Sequence, residues 1–274
     1  MSGDEGHDER RPDEQGRGER IAKWLSRAGV ASRRDVEKLV GEGRVRLNGA
    51  VVAHPATFVQ PGDIVQVNGV VADVPDRARL WRYHKPEGLM TTHRDPEGRP
   101  TVFERLPESM PRVVSVGRLD LNSEGLLLLT NDGALSRRLE LPSNAWVRRY
   151  RVRVHGDVDP RALAALATGL TVEGVKYAGI EAAVDSKAAT NTWLSVSLRE
   201  GRNREIRRVM THLNLQVTRL IRVAYGPFQL GNLGRGEVEE ITGKVLREQL
   251  PDMENTRETR TKSKPFPAGG RGPG

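Results

Sequence analysis

The segment VGRLDLNSEGLLLLTNDG, residues 116–133, joins the most apolar run of the chain to a polar cluster. Its four consecutive leucines (126–129) predict a buried strand, and the Asn, Asp and Gly that follow predict the turn that closes it. Arg118 and Asp120 stand directly before this strand. A carboxylate in such a place can be a turn cap, half of a structural ion pair, or a catalytic group. The residues alone leave these three roles open.

Outward from this strand, the pattern predicts an α+β fold, because several strands follow one another without helices between them. Alternating or continuous apolar residues predict strands in LWRYHK (80–85), RVVSV (112–116), WVRRYRVRVHG (146–156), TWLSVSL (192–198) and QVTRLIRVAYGPFQLG (216–231). Helices are predicted at 159–170, where Asp159 is a cap and Pro160 the first residue, and at 203–213, where Ile206, Val209 and Met210 share one face.

The composition narrows the classes of function. The 274 residues carry 44 Lys and Arg against 36 Asp and Glu, a net charge of +8, which favours a polyanionic partner. No apolar run approaches the roughly 20 residues that span a bilayer, and the N-terminus lacks a secretory signal. There is no cysteine, the six histidines lack metal-ligand spacing, and no nucleotide-binding fingerprint is present. We therefore expect a cytoplasmic, monomeric protein that uses neither a metal nor a cofactor.

Shifts in composition predict the domain organisation. We expect a disordered arm at 1–18 and a flexible basic tail at 251–274, since both lack the apolar residues that could offset the entropy of ordering. The polar stretch ADVPDRAR contains the predicted linker at 73–79. It separates a small unit at 19–72 from a larger one at 80–250.

The small unit predicts two helices and a little sheet with a basic surface. Ser32 is a candidate N-cap for the second helix, and Asn48-Gly49 indicates a hairpin. A basic helical face is by default a solvated surface. However, residues 20 to about 66, including SRR and GRVRLNG, resemble the S-four-type RNA-binding domain, an alpha-L motif. The resemblance implies phosphate contacts, which position a protein without reading sequence. The predicted contacts are Lys23, Arg27, Arg33, Arg34, Lys38 and Arg44.

Three blocks of the larger unit resemble the RsuA/RluB branch of the ribosomal RNA pseudouridine synthases. These are YHKPEGLMTTHRDPEGRPTVFERLP (83–107), GRLDLNSEGLLLLTNDG (117–133) and LREGRNREIRRVMTHL (198–213). With the small unit, the resemblance covers roughly residues 20 to 245. It implies the pseudouridine synthase fold, a mixed and mostly antiparallel sheet with flanking helices. The DPEGRPTVF and EGRNREIRR wording is most similar to the RluB type, which modifies large-subunit ribosomal RNA.

The resemblance also implies roles for single residues. Asp120 would act at the ribose, either by attacking C1′ or by starting glycal formation. Arg207 would pair with it, although an exposed arginine on an amphipathic helix is the alternative. Tyr150 would stack on the flipped base, although a core aromatic is the alternative. Arg118, Arg148, Arg202 and Arg204 would contact RNA, with local structure an equal alternative for Arg118.

One position departs from the family pattern. Glu205 stands where family members often carry Gln, so a negative charge lies close to the predicted pair, and we assign it no role. The leading hypothesis is a 23S ribosomal RNA pseudouridine synthase acting on a ribosome-assembly intermediate. Two alternatives stay open: a small-subunit target, and a ribosome-assembly protein that binds RNA without catalysis.

Overall fold

The computed structural model describes residues 18–188 and 190–250. The predicted tail at 251–274 lies outside these residues. So does the predicted arm at 1–18, except for Gly18. The N-terminal module contains, in chain order, β1 (Glu19–Arg20), α1 (Ile21–Arg27), α2 (Arg33–Gly41), β2 (Val45–Leu47), β3 (Ala50–Val51), β4 (Phe58–Val59), β5 (Val65–Val67) and β6 (Val70–Val71).

The N-terminal module forms where its caps and turns predict. The Ser32 hydroxyl accepts the Asp35 N–H at 3.2 Å and begins α2. Asn48 and Gly49 have φ of 51° and 83°, the left-handed pair that a tight hairpin between β2 and β3 needs. The sheet order is β3-β2-β5-β6, and β1 pairs with β4. α1 and α2 pack on the sheet through buried aliphatic side chains, including Ile21 and Val36.

The larger unit is a mixed sheet with flanking helices, which confirms the predicted α+β class. Its elements, in chain order, are β7 (Leu80–Lys85), β8 (Val114–Val116), β9 (Glu124–Thr130), α3 (Gly133–Glu140), β10 (Arg148–His155), α4 (Pro160–Ala165), β11 (Leu170–Val172), β12 (Val175–Tyr177), β13 (Ile180–Ala188), β14 (Asn191–Leu198), α5 (Glu205–His212), β15 (Gln216–Tyr225), β16 (Phe228–Gln229), β17 (Val238–Ile241) and α6 (Gly243–Gln249).

The sheet consists of two halves joined at one seam. Its order in the described residues is β13-β14-β10-β15-β9-β7-β17, with β16 on β15 and β8 on β9. All pairs are antiparallel except β15 with β9, which run parallel over only two residue pairs. At the seam, a Cβ on Gly125 would lie 2.3 Å from the Arg222 carbonyl oxygen. Glycine is therefore what allows the two halves to meet.

The leucine run is explained by burial on both faces of β9. Leu126 and Leu128 pack towards α3 and α6, whereas Leu127 and Leu129 pack on the opposite face against a separate cluster around Tyr83. A strand that is covered on both sides needs a continuous apolar run rather than alternation. The predicted buried strand is confirmed.

The other half of the sheet is covered by the predicted helices. Ile206, Val209 and Met210 of α5 are buried against Val152 and Leu194 of β10 and β14. Asp159 caps α4 through the Arg161 N–H at 2.8 Å. β11, β12, β13, β17 and α6 were missing from the prediction, because their short or mixed sequences carry no clear period. β13 (IEAAVDSKA) lies at the edge of the sheet.

Candidate active site

The loop that carries Asp120 connects β8 to β9 and is fixed from below by Lys85. Lys85, the last residue of β7, is completely buried. Its ammonium group donates to the carbonyl oxygens of Ser123 at 2.8 Å, Asp120 at 3.1 Å and Leu121 at 3.4 Å, and also to that of Pro86 at 3.0 Å. The ammonium therefore anchors the backbone of the loop, and Asp120 itself lines the cavity beside it.

The environment of Lys85 strongly affects its ionisation. Burial lowers the pKa of Lys85 to about 8, although the carboxylates of Asp120 and Glu124 oppose this shift. Lys85 was given no role in the sequence analysis. The sequence signal for such a role was a lysine at an inward position of a strand. Residues two apart in a strand lie on one face, so Lys85 is on the same face of β7 as the buried Tyr83.

A second buried charge stabilises the start of β9. Glu124 is 2% exposed, and it forms ion pairs with Arg219 and, at 2.9 Å, with Arg235. Burial raises the pKa of this carboxyl group, but the hydrogen bond and charge of Arg219 outweigh that effect and lower the pKa overall. An ionised Glu124 thus holds the β9 end of the Asp120 loop to β15 and to the segment before β17.

Asp120 opens into a cavity of about 550 Å³ at the seam of the two half-sheets. Tyr150 of β10 and Arg222 of β15 form its floor, where they are directly paired across the two strands. The apolar part of the lining also includes Leu119, Leu198, Ile206, Leu220 and Tyr225. The predicted aspartate and tyrosine are therefore brought to one cavity, although 30 residues separate them in the sequence.

Arg207 lies beside the Asp120 loop but does not line the cavity. Its Nη2 donates to the Asn122 carbonyl oxygen at 2.7 Å and its Nη1 to that of Val217 at 3.2 Å. Burial, followed by the charge of Arg204, lowers the pKa of this guanidinium, whereas the Asp120 carboxylate raises it. Arg207 therefore contacts the Asp120 loop through the Asn122 backbone, and the pairing of its side chain with the Asp120 carboxylate stays a prediction.

The four arginines predicted to contact RNA near the site all line the cavity: Arg118, Arg148, Arg202 and Arg204. Arg148 is held by the Trp146 and Arg199 carbonyl oxygens and lies over the Tyr225 ring, with 4.9 Å between guanidinium carbon and ring centroid. Arg118, Arg202 and Arg204 are exposed at the rim. A ring of cations therefore surrounds the opening through which a polyanion would approach.

The predicted contacts of the N-terminal module fall into two groups. Arg33, Arg34 and Lys38 are exposed on α2. The others are engaged within the protein: Lys23 and Arg27 pair with Glu19, Arg27 also pairs with Asp132 at 3.1 Å, and Arg44 bonds Asn68 and Glu42. RNA contact by both groups stays a prediction.

Two buried residues of the cavity were given no role by sequence reasoning. Arg222 is 3% exposed and Glu205 is 4% exposed, and each has a buried polar atom, Nη2 and Oε1, without a hydrogen-bond partner in the described residues. The other oxygen of Glu205 accepts the Arg202 N–H at 3.1 Å. Burial raises the pKa of the Glu205 carboxyl group.

In residues 18–188 and 190–250, no group of three His, Asp or Glu side chains could hold a metal ion. No helix in the part of the chain that the structure describes is long and apolar enough to cross a membrane.

Comparison with known proteins decides the family. Residues 79–212 match the family model for RNA pseudouridylate synthase, and residues 19–65 match that for the S4 domain. A Rickettsia bellii protein named "Uncharacterized RNA pseudouridine synthase" is 49% identical over 229 residues, 84% of this chain and 99% of the relative. The chain belongs to the RNA pseudouridine synthase family. It is an isomerase that makes pseudouridine in RNA, and its N-terminal S4 domain binds RNA.

Further relatives of this synthase have more specific names. The ribosomal large subunit pseudouridine synthase B of Salmonella typhimurium is 43% identical over 237 residues, 81% of this chain and 79% of the relative. A crystal structure of a pseudouridylate synthase superimposes with a TM-score of 0.58 at 23% identity, over 85% of this chain and 99% of that one. This likeness shows the shared fold.

Proposed function

We propose that this synthase isomerises one uridine of large-subunit (23S) ribosomal RNA, in an assembly intermediate of the ribosome. The support is its 43% identity to relatives named for the large subunit, in Salmonella and in Shigella flexneri. The high net charge of +8 and the arginine rim of the cavity fit an RNA substrate. The domain limits 19–72 and 80–250 and a monomeric state belong to the same proposal.

Asp120 is the proposed catalytic residue. The observation that carries this assignment is the immobilised backbone of Asp120, whose carbonyl oxygen accepts from the buried Lys85 ammonium at 3.1 Å while the residue lines the cavity opposite Tyr150. A carboxylate suits the reaction because positive charge develops at C1′ when the glycosidic bond breaks. It either attacks C1′ or takes the proton whose loss gives the glycal.

Tyr150 and Arg207 are the proposed partners of Asp120. A uracil that leaves its helical stack needs a flat apolar surface, and the Tyr150 ring offers one on the cavity floor. The half-buried Arg207 contributes a fixed positive charge beside the loop, which favours the ionised form of a carboxylate. The rim arginines, together with Arg33, Arg34 and Lys38, would hold the phosphates on either side.

The experiment is a map of pseudouridines in all ribosomal RNAs of cells that lack this chain. We expect one 23S site to disappear. Wild-type chain should restore it, Asp120→Asn should not, and Asp157→Asn, which changes a carboxylate that is 98% exposed, should restore it fully.

Each other outcome rejects a different part of the proposal. A missing site in small-subunit RNA would replace the substrate and leave the chemistry intact. Restoration by Asp120→Asn would reject the catalytic assignment. An unchanged map in the deletion cells would reject ribosomal RNA as the substrate of this synthase.

A further inference from the structure

Arg222 is a buried cation whose hydrogen-bonding capacity is incompletely used. It lies in β15 with 3% of its surface exposed, and its Nε donates to the Leu126 carbonyl oxygen at 2.8 Å. Its Nη2 is buried and has no hydrogen-bond partner in residues 18–188 and 190–250, while the guanidinium carbon lies 5.2 Å from the centroid of the Tyr225 ring. A charged donor left unpaired in the interior costs free energy, so such a group usually has a functional reason.

The position of Arg222 indicates what that reason is. It is directly opposite Tyr150 in the β10–β15 pair, and both side chains line the cavity into which Asp120 opens. Side chains opposite each other on neighbouring strands begin about 5 Å apart. A base that stacked on the Tyr150 ring would therefore present its edge to the Arg222 guanidinium.

We propose that Nη2 of Arg222 donates a hydrogen bond to a carbonyl oxygen of the target uracil and stabilises the negative charge that the base gains as it leaves the ribose. This inference rests on the proposed function of Asp120. When the C1′–N1 bond breaks, its electron pair stays with the base and spreads onto the carbonyl oxygens. Asp120 either bonds to C1′ or takes a proton from the sugar.

The same cation then serves the return step. The C5 carbon of the anionic base forms the new bond to C1′ as the Asp120–C1′ bond breaks or, on the glycal route, as Asp120 returns its proton to the sugar. C5 then loses its proton and N1 gains one, so the composition of the nucleotide is unchanged. A fixed donor in a buried site is effective here, because it needs no reorganisation when charge appears. The Leu126 carbonyl oxygen supplies that fixation.

The test uses the purified full-length synthase and an RNA fragment that contains the mapped site, with either uridine or 5-fluorouridine at the target. Fluorine makes the base a better leaving group, so a cation that assists departure becomes less important. We expect Arg222→Gln to slow glycosidic cleavage in a single turnover about a hundredfold with uridine. With 5-fluorouridine, the same substitution should slow cleavage only about tenfold. RNA affinity should change less than about twofold.

Matched variants separate this role from others. Arg222→Lys keeps a cation and should recover part of the rate. Arg151→Gln removes an exposed charge on the same strand as Tyr150, but on the opposite face, and should behave as wild type. Thermal unfolding of each variant identifies loss of the fold. If Arg222→Gln does not fold, the fluorine dependence of Arg222→Lys decides the question.

Two results would overturn the inference: an equal loss of rate with both bases, or a loss that lies in RNA affinity alone. Asp120→Asn is measured in parallel, and cleavage by that variant would reject the proposed function itself. A third pattern is an inactive Asp120→Asn together with a rate loss in Arg222→Gln that is the same for both bases. That pattern would reject only the role of Arg222.

Discussion

The Asp120 loop and the basic face of α2 both carry charge, but they hold it in opposite ways. The loop is fixed from within by the completely buried Lys85, and its neighbour Glu124 is neutralised by two arginines. On α2, by contrast, Arg33, Arg34 and Lys38 extend into solvent. Buried charge gives position, because each partner fixes the other, whereas exposed charge gives attraction that salt screens.

This contrast has an experimental consequence. Single changes beneath the loop should alter the chemical step by large factors and leave RNA affinity nearly unchanged. Changes on α2 should act on affinity, roughly additively, and leave the chemical step alone. The following variants would sharpen the distinction or remove it.

Lys85→Met should have the largest effect. Four carbonyl oxygens lose their donor, so the loop gains freedom and Asp120 loses its fixed position. We expect the rate of the chemical step to fall about a hundredfold and the free energy of unfolding to fall by about 2 kcal/mol. Single-turnover kinetics and urea denaturation measure the two quantities. A variant that kept the wild-type rate would show that Lys85 does not position Asp120.

The ionisation of Lys85 provides an independent check. Its folded pKa is about 8, below its ordinary value of 10.5. Between these values the unfolded chain holds more protons, so Lys85 makes the free energy of unfolding rise with pH in that range. The difference in stability between wild type and Lys85→Met should therefore grow from pH 8 to pH 10.5. A constant difference would mean that the buried ammonium has an ordinary pKa.

The triple variant Arg33→Gln, Arg34→Gln, Lys38→Gln tests the other region. We expect RNA affinity to weaken about tenfold at moderate salt, and the slope of log affinity against log salt to become shallower by about 2, since up to three phosphate contacts are lost. The rate with saturating RNA should not change. The matched control removes three exposed cations elsewhere, at Arg161, Lys176 and Lys187. An equal loss in the control would mean that net charge, rather than the α2 face, drives binding.

Glu205→Gln should have the smallest effect and the opposite sign. Burial raises the pKa of this carboxyl above its ordinary 4.5, so its ionisation opposes folding at neutral pH. The stability that the protonated form contributes below pH 4.5 is lost as pH rises through the folded pKa. Glutamine mimics the protonated form, so we expect the variant to be more stable than wild type at pH 7 and to lose this advantage as the pH falls below 4.5. Thermal unfolding at both values checks this.

The sequence predicted the parts of the structure that depend on local patterns of residues. The helix with Ile206, Val209 and Met210 on one face, the Ser32 cap and the Asn48-Gly49 hairpin all formed as predicted, because each depends on a few neighbouring residues. The place of Asp120 and Tyr150 in one cavity came from the family resemblance and agrees with the geometry. Their catalytic roles stay predictions.

The residues that reasoning missed depend on tertiary contacts. Lys85 and Arg222 occupy inward positions of β7 and β15, where an alternating pattern expects apolar side chains. A charged residue at an inward position can be recognised from the sequence, but the sequence pattern does not identify the groups that the residue contacts in the folded protein. The four carbonyl oxygens around Lys85 come from two loops, and the cavity beside Arg222 is formed by segments nearly 100 residues apart.

The parallel seam also sets the order in which a growing polypeptide acquires its abilities. The RNA-binding module is complete once Val71 has been synthesised, and N-terminal domains generally fold first during translation. The cavity needs Arg222 and Tyr225, because β15 is the strand that joins the half-sheets. For more than half of its length, the emerging chain thus contains a module that can hold RNA and no site that can change it.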